Sequence, residues 1–481
     1  MRPKRHLFLV IMILIVGWVT AVPTHGGEPE HNCYSILVGK DASENGAVLF
    51  AHNEDDWGDQ LVNWYKVPRR QHDPQEMITL KNGGQLVQVD TTWAYLWFEL
   101  PGMDFGDSYM NEWGVTIASN ACPSREDRAD LTDGGICYWL RRAMAERATS
   151  AREAVHIGAA LIEAFGYASS GRTYSIADPN EAWMLSAVQG RHWIAQRVPD
   201  EAMAIIPNYY TITSIDLTDT LNFLGSADIV DYAVERGWYD ALQDGEFCFR
   251  EVYGAPAALE DMGNIARKWR GLNLLAGTPY SLEDDFPFAV KPRRKVSKTD
   301  LMKTLRDHYE GSRFECAGNP HDNVIHTICA SVNQYGFVAE LRSGMPTEIG
   351  SVMWLAPRRP CVQPFIPIYC GSTAMPAGFA YTDFQSALEQ HYNLPEDIYV
   401  PKPEPAYWVF ADYCRNIDSA WMMKYPKAAQ RAARLQKRLL RAQPRVERKV
   451  LKIENRNPET ASQILTMYTA AVAKRLWKMS R

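Results

Sequence analysis

The chain has 481 residues, of which 46% are hydrophobic and 22% charged, and its formal net charge is −6. This composition excludes a disordered, fibrous or low-complexity protein, and it can bury a large core as one big domain or two modest ones. The charge is uneven, because residues 427–481 hold 15 Lys and Arg against 3 Glu. The apolar residues of AAQRAARLQKRLLRAQ recur at helical spacing, which favours a solvated helix packed on the body over a segment that binds nucleic acid.

The first 21 residues are typical of a secretory signal peptide. A basic start, MRPKRH, precedes the apolar run LFLVIMILIVGWVTAV, and Val19 and Ala21 are small residues suited to a cleavage site. About sixteen apolar residues are slightly fewer than the ~20 that span a bilayer, so a cleaved signal is favoured over a membrane anchor. We therefore expect a secreted or periplasmic protein in which the polar residues 22–32 form a propeptide.

The elements predicted after this leader begin with a β-hairpin. Two β-branched runs joined by the polar stretch KDASEN predict antiparallel strands over residues 34–52, and NEWGVTIASNA predicts a turn followed by another strand. Two helices follow at residues 136–147 and 150–165, the second with a capping signal at Ser150 and Glu153.

The rest of the chain predicts an antiparallel meander and then helices. Further strands are expected at residues 172–177, 182–188, 191–198, 323–332 and 336–341, and helices dominate after residue 382. Because no βαβ alternation is seen, the pattern predicts an α+β protein with antiparallel sheets covered by helices. The Pro-rich stretch KPEPAYW separates a main domain, residues 33–400, from a C-terminal helical extension, residues 401–481.

Cys33 stands at the start of the first predicted strand, directly after the predicted propeptide. If the chain is cut before Cys33, the residue acquires a free α-amine beside its own thiol. Such an amine has an unperturbed pKa of about 7.7–8.0 and can accept the thiol proton without any histidine. A cysteine that only packs in the core is the alternative reading.

Three polar residues are candidates to assist this thiol. A hairpin returns its second strand to the start of the first, so Asp55 is expected near Cys33, where it would hold the α-amine. Asn120 and Asn208 follow strand-like runs, and a side-chain amide is a suitable donor for an oxyanion hole. From spacing alone, turn capping is the better reading of these two asparagines.

Other chemistries find less support in the sequence. The eight cysteines besides Cys33 allow 105 disulfide pairings, and several of them can equally be buried thiols. His321, His326 and Cys329 match no zinc-ligand spacing, and His326 is predicted to fill a sheet face with the neighbouring apolar residues, so we expect no metal. The chain has no G-x-S-x-G motif of serine hydrolases and no papain-like cysteine motif.

The stretch CYSILVGKDASENGAVLFAHNED resembles the opening of the dipeptidase A-type cysteine peptidases. These are N-terminal-nucleophile hydrolases related to the secernins and, more distantly, to the bile salt hydrolases and penicillin V acylases. The segments NEWGVTIASNA, IADPNEAW, PNYYTITSIDL and EIGSVMWLA are similar to further signatures of the family in the expected order. The resemblance covers roughly residues 33–370.

This resemblance implies a four-layer αββα sandwich with Cys33 as the mature N-terminal nucleophile. It also implies a carboxylate near the α-amine at Asp55, oxyanion-hole groups at Asn208 and, less closely, Asn120, and hydrolysis of dipeptides without a metal or other cofactor. One departure is His52, where family members commonly have Arg or Lys. Because histidine is a weaker, pH-dependent cation, the state of Cys33 or the preferred substrate is expected to differ.

The expected function is therefore a secreted cysteine dipeptidase that forms a thioester on Cys33, with residues 33–400 as the catalytic domain. Two alternatives stay open: an amidase or acylase of the same fold that takes N-acyl substrates, and a non-catalytic secreted binding protein. The expected partner is a dipeptide or small amide substrate and not nucleic acid, and assembly into a homo-oligomer is left open. Arg342 is interpreted as a surface arginine outside the catalytic set.

Overall fold

A computed structural model describes residues 33–481, so the predicted signal peptide and propeptide lie outside the described residues. In chain order the strands are β1 (Tyr34–Val38), β2 (Val48–Asp55), β3 (Asn63–Val67), β4 (Arg70–Gln71), β5 (Met77–Thr79), β6 (Gln85–Val87), β7 (Thr91–Thr92), β8 (Tyr95–Glu99), β9 (Ser108–Asn111), β10 (Thr116–Ala121), β11 (Tyr167–Ala177), β12 (Ala182–Gly190), β13 (Trp193–Arg197), β14 (Met203–Ile206), β15 (Phe223–Gly225), β16 (Ala289–Val290), β17 (Asn333–Leu341), β18 (Ser351–Pro357) and β19 (Ile366–Tyr369).

Helices flank these strands in sequence and dominate the C-terminal part. In chain order they are α1 (Tyr138–Arg147), α2 (Ala151–Phe165), α3 (Ile229–Glu235), α4 (Phe249–Tyr253), α5 (Pro256–Glu260), α6 (Met262–Leu275), α7 (Lys298–Thr304), α8 (Thr347–Gly350), α9 (Phe384–Gln390), α10 (Ala406–Asp418), α11 (Trp421–Glu454) and α12 (Pro458–Ser480). No helix within residues 33–481 is both long and apolar enough to cross a bilayer.

Two large antiparallel sheets form the centre of the molecule. The seven-stranded sheet has the order β16-β14-β1-β2-β17-β18-β19, and the eight-stranded sheet has the order β15-β13-β12-β11-β10-β9-β8-β3. The sheets face each other, because β1 contacts β10 and β11 and β2 contacts β11. Their facing sides, rich in Leu, Ile, Val and aromatic residues, form much of the apolar core.

Helices cover the outer side of each sheet. α1 and α2 pack on the eight-stranded sheet, whereas α6, α7, α11 and α12 pack on the seven-stranded sheet. This order of helix, sheet, sheet and helix confirms the predicted α+β class and the four-layer αββα sandwich.

The N-terminal hairpin forms as predicted, with a short 3₁₀ turn, Lys40–Ala42, in its connection. Its register pairs Tyr34 with Asn53 and Ser35 with His52. Every residue of both strands is buried, as expected for neighbouring strands in the middle of a covered sheet. Because β1 is central, the residue that precedes it enters the interior of the sandwich.

The two predicted helices after the first strands are confirmed within two residues at their N-termini. Ser150 caps α2 by accepting a hydrogen bond from the backbone N–H of Glu153. The carboxylate of Glu153 in turn accepts a hydrogen bond from the backbone N–H of Thr149. The local sequence therefore determines where this helix begins.

The strand predicted at residues 323–332 is wrong. This segment follows a 3₁₀ turn, Pro320–Asp322, and it contains no strand, since β17 begins only at Asn333. Side chains satisfy its backbone groups in place of a neighbouring strand: Asn53 donates to the carbonyl of Ile328, and Tyr309 donates to the carbonyl of His326. The apolar alternation of this segment is weak, and its tertiary contacts determine that it forms a loop and not a strand.

The basic C-terminal helices pack on the body through an apolar face. In α11 the buried positions include Ala428, Ala432, Leu435 and Leu439, whereas most of its basic residues are exposed. Arg342 is bound by Glu447 of α11, with N–O distances of 2.7 and 2.9 Å, so it is not free to bind a substrate. The domain boundary at residue 400 stays a prediction.

Gly271 allows α6 to pack closely on β1. A Cβ atom at Gly271 would overlap the hydroxyl of Tyr34 and lie 3.3 Å from its Cζ. In an exposed helix, alanine is more stable than glycine by about 1 kcal/mol. Here we expect Gly271→Ala to lower the free energy of unfolding by about 1–3 kcal/mol, because the close contact is overpacked. Urea denaturation of the purified protein measures this change.

Tyr34→Phe supplies the control for this prediction. The Tyr34 hydroxyl is buried without a hydrogen-bond partner among the described residues, so its removal alone is expected to cost little. The Tyr34→Phe, Gly271→Ala double variant should recover part of the lost stability. Purely additive effects would contradict the proposed overlap.

Candidate active site

Cys33 directly precedes β1, and its side chain lies between the two sheets. It is 1% exposed. Its thiol donates to Glu54 Oε1 at 3.2 Å and lies 3.7 Å from the carbonyl oxygen of Asp55. The hairpin register explains this contact, since the pairing of Tyr34 with Asn53 places Cys33 opposite Glu54. The carboxylate that reaches the thiol is therefore that of Glu54, whereas sequence reasoning had singled out Asp55.

Strand alternation divides the polar residues of the hairpin between two faces. Four polar side chains contact one another on the side of the hairpin that faces the other sheet. They belong to Cys33, which precedes β1, to Ser35 of β1, and to His52 and Glu54 of β2. Asp55 lies on the opposite side of β2. The thiol thus shares its face with an alcohol, an imidazole and a carboxyl group.

Hydrogen-bond valence fixes the protons in this row of side chains. Asn120 Nδ2 donates to the carbonyl of Ile206 at 3.2 Å, so Asn120 Oδ1 accepts the Ser35 hydroxyl proton at 2.6 Å. Ser35 has no second proton, and His52 Nδ1, which lies 2.8 Å away, must donate to Ser35 Oγ. His52 Nε2 then faces Glu54 Oε2 at 2.9 Å, with one proton between them.

The environment assigns this proton to Glu54. Burial lowers the pKa of His52 to about 3, and burial raises the pKa of Glu54 to about 8. At neutral pH, Glu54 is therefore a carboxylic acid that donates to a neutral imidazole. His52 was expected to act as a weak cation, and this geometry instead makes it a neutral acceptor.

The Cys33 thiol is protonated in the same environment. Burial raises its pKa well above the usual range, and the charges of Glu54 and Asp55 raise it further. Arg172 acts in the opposite direction. As described, the site therefore holds a neutral thiol that needs a base before it can attack a carbonyl.

Two buried arginines supply positive charge on the side of the eight-stranded sheet. Arg141 of α1 and Arg172 of β11 both donate to Ser119 Oγ, at 2.8 and 3.2 Å. Within residues 33–481 neither forms a salt bridge with a carboxylate, and both charges act to lower the pKa of Glu54. Nothing in their local sequence indicated this role.

Asp55 lies near the thiol but directs its carboxylate to the loop ahead of β17. Its Oδ1 accepts from Asn333 Nδ2, and its Oδ2 lies 3.2 Å from His326 Nε2. Burial raises the pKa of Asp55, although its hydrogen bond with His326 acts against this rise. The prediction that His326 fills a sheet face is wrong, because its segment is a loop.

Asn120 and Asn208 link the two sheets beside the site. Asn120 of β10 donates to the carbonyl of Ile206 in β14, and Asn208 donates to the carbonyl of Ala121 in β10 at 3.0 Å. Each amide group has two N–H donors, and the bonds above use one of them in each case. Their role in an oxyanion hole stays a prediction.

Arg267 of α6 was missed by sequence reasoning. It donates to the carbonyl oxygen of Cys33 at 3.1 Å and to Asn208 Oδ1 at 3.1 Å. It also donates to Asn264 Oδ1 at 2.7 Å. Its full burial is unusual for an arginine, but this is seen only in the structure. It fixes the nucleophile's backbone and the Asn208 amide relative to each other.

Cys33, His52 and Glu54 also offer three potential metal ligands, with atoms within 4.8 Å of one another. All three atoms already take part in the hydrogen bonds described above. These bonds satisfy the group without an ion.

A cysteine at the head of a central strand, beside an acid and two asparagines in an αββα sandwich, is the arrangement expected of a cysteine-type hydrolase. The family model described as "Peptidase family C69" matches residues 131–413. The chain belongs to this peptidase family, which confirms both the resemblance and the prediction of a cysteine-type peptidase.

Individual proteins that resemble this chain share about a quarter of its residues or fewer. The protein named "Probable dipeptidase" from Latilactobacillus sakei is 25% identical, over 80% of this chain and 81% of that protein. A "Dipeptidase" from Bifidobacterium longum is 27% identical, over 75% of each chain. Among solved structures, penicillin V acylase from Agrobacterium tumefaciens aligns with 68% of this chain and 82% of its own, at 12% identity and a TM-score of 0.32.

The contact between Glu54 and Cys33 makes a prediction about thiol reactivity. Once ionised, Glu54 opposes formation of the adjacent thiolate, so Glu54→Gln should lower the pH of half-maximal Cys33 alkylation by about 1 unit. Iodoacetamide labelling across pH, with peptide mapping by mass spectrometry, separates Cys33 from the other cysteines.

Glu99→Gln is the matched control for this labelling. Glu99 is also a buried glutamate paired with a histidine, His391, at 2.9 Å, but it makes no contact with Cys33. Its substitution should leave the alkylation midpoint of Cys33 unchanged. An equal shift in both variants, or none in Glu54→Gln, would refute the assigned interaction.

Proposed function

We propose that this protein is a secreted dipeptidase that acts through a thioester on Cys33, its mature N-terminal residue. The observation that carries the proposal is the position of Cys33, whose thiol binds Glu54 while Arg267 holds its backbone carbonyl. The relatives named dipeptidase support dipeptides as the substrate class.

The α-amine of Cys33 is the base in this mechanism. Removal of residues 1–32 replaces the amide nitrogen of Cys33, which is not basic, with an amine whose unperturbed pKa is about 7.7–8.0. The amine takes the thiol proton, and the sulfur attacks the scissile carbonyl carbon. The C–N bond then breaks, the leaving amine takes the proton from the α-ammonium, and a thioester remains on Cys33.

Water completes the cycle. The free α-amine removes a proton from a water molecule that attacks the thioester, and the thiol leaves with a proton returned from the ammonium. In both tetrahedral intermediates, the remaining N–H groups of Asn208 and Asn120 are the proposed donors to the oxyanion. Arg267 keeps Asn208 in place by donating a hydrogen bond to its side-chain oxygen, Asn208 Oδ1.

Buried charges adjust the thiol in this scheme. Arg172 favours the thiolate electrostatically, whereas Glu54 opposes it when ionised. The pKa of Glu54 is about 8, so most of this side chain is neutral at pH 7. Its repulsion of the Cys33 thiolate is therefore weak at neutral pH. Asp55, held by His326 and Asn333, is proposed to fix the α-ammonium.

We propose that the chain reaches the secretory route through residues 1–21 and loses residues 22–32 in a further cut. The test is to recover the full-length gene product from a secretory host and sequence its N-terminus. We expect Cys33 as the first residue and hydrolysis of a panel of dipeptides. Cys33→Ala should lower kcat/KM by at least about 10³-fold, because the nucleophile is lost.

Cys370→Ala is the matched control, since Cys370 is buried at the end of β19 and makes no contact with Cys33. It should keep the dipeptidase activity. Full activity in a chain that begins at Met1 or Val22 would refute the N-terminal-nucleophile proposal. Faster hydrolysis of N-acyl amides than of dipeptides would favour the acylase alternative.

A further inference from the structure

Four side chains with metal-binding atoms converge at a second place in the molecule. His308 follows α7, His321 and Cys329 flank the loop ahead of β17, and Cys361 follows β18. Their two imidazole nitrogens and two sulfurs all lie within 4.8 Å of one another. All four residues are largely or fully buried.

The donor set and its spacing suit one tetrahedral metal ion. Zinc bonds of about 2.3 Å to sulfur and 2.0–2.1 Å to nitrogen put neighbouring ligand atoms roughly 3.3–3.8 Å apart. His321 Nε2 and Cys361 Sγ are 3.7 Å apart. Two thiolates balance the charge of a divalent ion, and two sulfurs with two nitrogens are a typical structural zinc set.

The histidines are oriented from behind by carboxylates. His308 Nδ1 lies 2.9 Å from Glu310 Oε1, and His321 Nδ1 lies 3.0 Å from Asp418 Oδ1. Such contacts direct each Nε2 lone pair towards a metal and are usual around ligating histidines. Arg359 binds Asp418 and also lies 2.8 Å from His321 Nδ1.

An independent observation also indicates a missing partner. His308 Nε2 is buried and makes no well-formed hydrogen bond among the described residues, and the polar group nearest to it is the Cys329 thiol, another of the four candidate ligands. Buried imidazole nitrogens are normally satisfied. Trp421 and Tyr425 close the cluster on the side of α11, with Trp421 packed against His321 at 4.8 Å between ring centroids.

We propose that His308, His321, Cys329 and Cys361 bind one structural zinc ion. All four positions are then filled by protein, so the ion has no open coordination site. The ligand spacing, with 12, 7 and 31 residues between successive ligands, resembles no short zinc motif, which is why the sequence predicted no metal. Metal coordination also protects two adjacent thiols from oxidation in a secretory compartment.

The ion has a structural consequence for the peptidase site. Two ligands, His321 and Cys329, close the short loop that carries His326 onto Asp55. Cys361 ties this loop to the turn after β18. Zinc therefore holds the segment whose histidine contacts the carboxylate beside Cys33.

The test is the metal content of the full-length protein, purified without chelator or added metal. Inductively coupled plasma mass spectrometry should find about one zinc ion per chain, and Cys361→Ala should lose it. Replacement of zinc by Co²⁺ in the wild type should give the visible bands and sulfur charge-transfer absorption of a tetrahedral S₂N₂ site. These measurements do not depend on peptidase activity.

Cys414→Ala is the matched control, because Cys414 is buried in the same apolar cluster as Cys329 and Cys361 but is not a proposed ligand. It should keep the zinc. If Cys361→Ala does not fold, the wild-type zinc content and cobalt spectrum still decide the proposal. A zinc-free wild type with a Cys329–Cys361 disulfide, or zinc retained in folded Cys361→Ala, would overturn it.

Discussion

The antiparallel pairing of β1 with β2 is the constraint on which the site depends. It places Cys33 opposite Glu54 in the middle of the seven-stranded sheet, where the second sheet covers the thiol. A shift of one residue would turn His52 and Glu54 away from Cys33, because strand side chains alternate between faces. Every residue of both strands is buried, and this register also pairs their polar side chains, such as Ser35 with His52, in hydrogen bonds.

The side chains beside Cys33 form a buried row of polar groups. Their burial would destabilise the fold if any of their hydrogen bonds were missing. The bonds from Glu54 through His52 and Ser35 to Asn120 run in one direction and end on the Ile206 carbonyl. They join the two sheets, so the environment of the thiol and the packing of the sandwich are coupled. Within this complete row His52 acts as a neutral acceptor.

The local features of the fold follow from the local sequence, whereas the four-layer sandwich was expected only from the family resemblance. The hairpin, the capped helix α2 and the position of Cys33 follow from turn residues, apolar periodicity and capping side chains that lie close together in sequence. Arg267, Arg172 and His326 reach the site only through the assembly of distant elements. Their local patterns resemble those of ordinary helix, strand and loop residues, so periodicity carried no signal for them.

The contacts of the two asparagines and of the four proposed zinc ligands also depend on how distant elements assemble. Asn120 and Asn208 were found by type and by resemblance, but their reciprocal bonds between β10 and β14 depend on how the sheets face each other. His321 and Cys329 match no zinc-ligand spacing in the sequence, because the two residues that approach them, His308 and Cys361, are distant in sequence. The zinc proposal rests on ligand geometry in three dimensions, which residue spacing does not reveal.

If Cys33 is the nucleophile, it carries the acyl group during hydrolysis. The most direct measurement mixes the processed enzyme with an activated amino-acyl ester, stops the reaction with acid within the first turnover and maps adducts by mass spectrometry. We expect an acyl group on the peptide that begins with Cys33, and hydroxylamine should remove it as it removes a thioester. An acyl group on any other side chain, or turnover with no adduct on Cys33, would contradict it.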